Sequence, residues 1–134
     1  MKYLFSIVVL LIPSVLLANP MVGTFKGTEK STVTNCNYSQ YNGTTSGSWE
    51  VTNTLIEGDR FKGQGKNVSG SFSAEGSVSG NKATGTTKGT NKWGQAWTGE
   101  FAGTIDGDTY TSSGKGNVPA SGCDFVVEVK ATRQ

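Results

Sequence analysis

Hydrophobic and polar residues alternate with a period of two along most of this 134-residue chain. In "WTGEFAGTI", Trp97, Gly99, Phe101, Gly103 and Ile105 fall on one face, opposite Thr98, Glu100, Ala102 and Thr104. In "CDFVVEVKA", Cys123, Phe125, Val127, Val129 and Ala131 oppose Asp124, Val126, Glu128 and Lys130. "WEVTNTL" groups Trp49, Val51 and Leu55, with Asn53 interrupting that face. "VGTFKGT" sets Gly23, Phe25 and Gly27 against Thr24, Lys26 and Thr28. No segment after residue 18 carries apolar residues at helical spacing. The pattern therefore predicts half-buried antiparallel strands and no helix beyond that point.

Three stretches repeat one design. "LIEGDRFKGQGK", "VSGNKATGTTKG" and "TIDGDTYTSSGKG" align on Gly58, Gly80 and Gly107, and Lys66, Lys88 and Lys115 each follow eight residues later. "EGD", "SGN" and "DGD" are hairpin signals, because Gly and its Asn or Asp neighbours accept the positive φ of tight turns. Three hairpins supply six strands, and the runs near 22–28 and 123–131 supply two more. Eight antiparallel strands leave two edges, which pairing the first strand with the last removes. The expected fold is all-β: a small eight-stranded antiparallel up-and-down barrel, with a two-sheet β-sandwich as the alternative. On the inward face, Gly23, Gly27, Gly63, Gly99 and Gly103 leave gaps beside Phe25, Phe61, Trp97 and Phe101. Aromatic rings can lie across such gaps. A filled core and a ligand-sized cavity both satisfy this pattern.

Following the strands alternately gives the barrel two unlike ends. The three tight turns share one, with Glu57, Asp59, Asp106 and Asp108 against Arg60 and Lys82. The other, the loop end, receives connections expected at 30–46, 66–70, 88–95 and 116–122. Cys36 lies in the first of these and Cys123 just after the last, so a Cys36–Cys123 disulfide is predicted there. The same end carries Tyr38, Tyr41, Lys92 and Trp93, together with Lys66, Lys88 and Lys115 one strand length beyond their turns. Loop aromatics either plug a barrel end or contact a ligand, and outward lysines either keep a rim soluble or attract an anion. These seven residues form the predicted contact surface.

Composition narrows the function. "MKYLFSIVVLLIPSVLLA" has the layout of a secretory signal peptide, with Lys2, an apolar run from Tyr3 to Ile12, Pro13, and Ala18 at the expected cleavage point. Residues 1–18 are thus read as the signal and 19–134 as a single domain, secreted or periplasmic, where a disulfide persists. Removing Lys2 leaves eleven basic and ten acidic side chains, a balance that argues against nucleic acid as a partner. The chain has no His, which removes Ser–His catalysis and imidazole metal ligation, and a disulfide removes the thiols. The carboxylates of "EGD" and "DGD" sit on solvated turns, whereas acid–base chemistry needs one acid desolvated. No phosphate-binding glycine loop is present, and the sequons "NYS", "NGT" and "NVS" matter only in a glycosylating host. A membrane barrel is disfavoured by short strands and glycine-rich apolar faces, although alternation alone does not say which face points outward.

The signal layout, eight short strands and the stretch "AWTGEF" resemble avidin-like and lipocalin-like small barrels over residues 22–131. The resemblance implies architecture only; no ligand-binding residue of either family carries over. The expected function is that of an exported, monomeric, non-enzymatic binding protein that needs no cofactor or metal. Its partner would be a small molecule, a sugar or an extracellular protein, with no membrane span in the mature form. The alternatives are an inhibitor or masking partner of an extracellular enzyme, and a structural surface component.

Overall fold

The computed structural model describes residues 19–134, which form a closed barrel of eight antiparallel strands; the predicted signal peptide lies outside the described residues. The strands are β1 (Gly23–Thr34), β2 (Gly43–Glu57), β3 (Arg60–Asn67), β4 (Gly70–Ser79), β5 (Lys82–Thr90), β6 (Ala96–Asp106), β7 (Thr109–Val118) and β8 (Cys123–Arg133). Each pairs with its sequence neighbours, and β1 closes the ring against β8. The barrel thus prevails over the sandwich.

The register fixes the tilt. Paired residues run from Thr24 through Thr52, Gln64, Ser73, Lys88, Thr98, Asn117 and Asp124 back to Thr34. One circuit therefore returns to β1 ten residues farther along, a stagger that only inclined strands can accommodate.

The threefold repeat resolves into one turn used three times. Gly58, Gly80 and Gly107 have φ of 54°, 60° and 58°, while Asp59, Asn81 and Asp108 are not in the positive-φ region. Positive φ at the first central residue alone is the type II′ hairpin turn, whose twist matches that of the strands it joins.

Several expectations are corrected. The connection expected at 30–46 shrinks to residues 35–42, because β1 and β2 pair as far as Val33 and Gly43. Their ends are rich in Thr, whose branched side chain suits a pleated surface, and the Thr32 and Thr44 hydroxyls meet at 3.3 Å. The 66–70 connection is a tight two-residue turn at Val68 and Ser69, so the loop end also has one. Asn67 Oδ1 organises it by accepting the N–H groups of Ser69 (2.9 Å) and Gly70 (3.1 Å). Two single 3₁₀ turns, Ser39–Tyr41 and Pro119–Ser121, interrupt the otherwise helix-free described residues. Leu55 does not join Trp49 and Val51 inside: it lies next to a register shift at the turn end and is 53 % exposed.

The turn end is packed. Met21, Phe25, Phe61, Val78, Ile105, Tyr110 and Ala131 are buried there or toward mid-barrel. Residues 19–22 supply Met21 as a plug, held by Arg133, whose guanidinium donates to the carbonyls of Pro20 and Val22. Arg133 also pairs with Asp108 at 3.1 Å and lies 4.8 Å from the Phe25 ring centroid. Outward positions are mostly Thr, Ser, Lys and Glu, the reverse of the apolar band a bilayer requires. Among the described residues no helix is long and apolar enough to cross a membrane.

Candidate functional site

The interior is hollow toward the loop end, and the glycines explain how. Phe72 pairs across the ladder with Gly65, Trp97 with Gly89, Phe101 with Gly85 and Phe125 with Gly116. Each ring lies over its glycine so closely that a Cβ there would collide with it. The rings therefore lie against the wall instead of projecting to the axis. The expected ring-over-glycine packing is present, but its partners are cross-strand neighbours rather than neighbours on the same strand. Nearer the loop end the inward residues are small, among them Ser31, Thr45, Gly47, Thr87 and Gly114. The result is a cavity of about 750 Å³, within the range typical of small-molecule sites.

Aromatic contacts run the depth of this space. Trp49 stacks on Phe72 at 6.0 Å and on Tyr110 at 6.1 Å. Tyr110 also meets Phe25 below, and Phe72 continues through Trp97 to Phe125. A flat apolar molecule would find ring faces and edges on several sides.

Two polar groups stand out in this lining. Asn53 is buried; its Nδ2 donates to the Met21 carbonyl at 2.9 Å, while its Oδ1 has no hydrogen-bond partner among the described residues. Glu29 is only 4 % exposed and accepts the Val68 N–H at 3.3 Å. Burial raises its pKa above the ordinary carboxylate value, and the Val68 hydrogen bond offsets part of that rise. Burial likewise raises the Tyr110 phenol, against a smaller opposing effect from Ser112. Both acceptors were missed from the sequence as site residues. Glu29 shares the parity of Phe25 and Gly27, so extending β1 beyond residue 28 would have placed an acid on the inner face.

The wall has a notch beside Glu29. Strand β2 pairs with β3 only from Glu50 onward, so residues 43–49 have β1 on one side alone. The β3–β4 turn sits below that free edge, where Val68 packs against Gly47. Gly43, Thr44, Thr45, Asn67, Val68 and Ser69 all border the cavity here.

At the mouth, three of the predicted aromatics converge. Tyr38 and Tyr41 are 6.0 Å apart and Tyr41 and Trp93 5.8 Å apart, ring centre to ring centre. Lys92 Nζ lies 4.6 Å from the Trp93 ring centroid, and all four residues border the cavity while remaining exposed. The Cys36–Cys123 disulfide ties their connection to the start of β8, and Asn91 Oδ1 shapes the other by accepting the N–H groups of Trp93 and Gln95. Lys115 and its cross-strand partner Glu100 border the cavity through their backbone, bared by Gly99, Gly114 and Gly116, while both residues are exposed at outward positions. Lys66 and Lys88 are exposed on the outer face and do not line the cavity. Among the described residues no group of three or more His, Cys, Asp or Glu is placed to hold a metal ion.

No protein-family model matches the chain, and no curated protein matches it. Among solved structures, the chain is similar to that in the crystal structure of Rv2717c from M. tuberculosis, at 13 % identity and a TM-score of 0.49, over 91 % of this chain and 98 % of that one. That likeness is too distant for any residue or role to be transferred.

Proposed function

We propose that this chain is an exported, non-enzymatic binding protein that holds a small, largely aromatic or apolar molecule inside the barrel, admitted at the loop end. The observation that carries this reading is the aromatic-walled cavity of about 750 Å³ above a packed floor. Tyr38, Tyr41, Lys92 and Trp93 serve as the rim that a ligand passes, with Lys66, Lys88 and Lys115 contributing charge to the outer wall. The disulfide fits an exported chain. The cavity offers one buried acid among aromatic, aliphatic and small hydroxyl side chains, an arrangement suited to holding a molecule rather than transforming it.

Titration of residues 19–134 with N-phenyl-1-naphthylamine, a neutral aromatic fluorophore, tests the reading. Saturable one-to-one binding, with a Kd on the order of micromolar and quenching of tryptophan emission, is expected. Replacing Ser31 with Trp, which fills the interior, should abolish that binding while leaving the β-type circular dichroism intact. No saturable binding to the unmodified domain, or equal binding to Ser31→Trp, would overturn it.

A further inference from the structure

We infer that the cavity selects molecules joining a flat apolar body to a basic nitrogen, and that Glu29, at the notch between β2 and the β3–β4 turn, receives that nitrogen. The inference rests on interior binding as proposed above.

Glu29 is the one acid whose side chain lies on the inner face among the described residues, flanked along β1 by Gly27 and Ser31 and facing Gly47 and Val129 on the adjacent strands. Its single protein hydrogen bond among the described residues, from the Val68 N–H, occupies one oxygen. Among the described residues it forms no ion pair; the three that exist join Lys26 to Glu50, Arg60 to Glu75 and Arg133 to Asp108, all elsewhere. The charged groups on the elements packed around it, Lys30 on β1, Glu50 on β2, and Glu128 and Lys130 on β8, stand at outward positions. The β3–β4 turn brings only Val68 and Ser69. Tyr110, deeper in the cavity, is the other titratable group whose side chain enters it from a strand's inner face. A buried carboxylate without a counter-charge is held at a cost, which an incoming cation relieves.

The one buried side-chain polar atom without a partner among the described residues, Asn53 Oδ1, is closed off from the cavity beside Gly63, which leaves Glu29 as the buried acceptor that an incoming cation can reach. Trp49, Phe72 and Trp97 then offer ring faces and edges to the apolar body, and π-faces attract a cation as well.

Three molecules of one shape separate the possibilities by calorimetry: 1-naphthylmethylamine, 1-naphthalenemethanol and 1-naphthoate. At pH 8 the amine should bind at least about tenfold more tightly than the alcohol, and the carboxylate more weakly than either. That preference should shrink as the pH falls and Glu29 takes up a proton. In Glu29→Gln, which keeps an acceptor for Val68, the alcohol should bind as before and the preference fall to about twofold or less. An amine no tighter than the alcohol, a preference unchanged in Glu29→Gln, or one constant from pH 8 to pH 4 overturns the inference. If the alcohol still binds one-to-one in that case, interior binding itself survives; if none of the three binds, both readings fall.

Discussion

A carboxyl group in the position of Glu29 is easier to bury protonated than ionised, and the stability of the empty barrel should record this. Its pKa is raised on folding by burial, so the folded state holds the proton more tightly than the unfolded chain does. The stabilisation is therefore fully present below the unfolded carboxylate pKa and lost as pH rises through the folded one. Glu29→Gln removes this dependence. Thermal melts should show the variant roughly 3 °C more stable than the native chain at pH 8 and the advantage gone near pH 4. A variant less stable at pH 8 would mean that the carboxylate is already compensated inside the barrel. At this scale the sequence was half legible. The parity that buries Phe25 also buries Glu29, but "TEKST" looks like the start of a loop until its cross-strand partners are known. Asn53 was visible as an interruption of its face; its bond to the Met21 carbonyl was not, because residues 19–22 carry no periodic signal.

Elements were legible wherever their cause is local. The three type II′ turns follow from glycine at one position of each hairpin, and the strands between them from alternation. The long β1–β2 arm is different, because apart from Val33 its outer residues are polar or glycine on both faces and are held by pairing with each other and by β8. Its far end is anchored by the Cys36–Cys123 bridge, which spans 87 residues of sequence. Replacing both cysteines with serine should cost about 4–5 kcal/mol in urea unfolding, on the loop-entropy argument. The same change should free residues 35–42 and raise their hydrogen exchange, while the turn end, packed around Phe25 and Met21, keeps its protection. Uniform loss of protection would show that the arm and the floor unfold as one unit.

At the scale of the whole molecule, strand number and edge avoidance pointed to a closed barrel, while the state of its interior stayed open. The reason is geometric. Whether eight strands enclose a core or a cavity depends on whether the rings point to the axis or lie on the wall, and that depends on which glycine each ring faces across the ladder. Register sets those pairs, and a single strand's sequence does not contain it. The convergence of Tyr38, Tyr41 and Trp93 was foreseeable from their shared end, but the cavity beneath them was not.

The seam between β1 and β8 has a kinetic meaning. Every other contact in the ladder is a hairpin between successive strands and can form as the chain lengthens, whereas the seam joins Phe25 to Arg133, the two ends of the domain. Such a contact bears the largest loop-closure entropy in the molecule and should be the last to form. Until β8 docks, the meander must wait with two bare edges and an apolar inner face. A chain stopped after Gly122 should therefore be cut by a protease throughout its length rather than trimmed to a stable seven-strand remnant. A resistant fragment of that size would show that the meander stands without its seam.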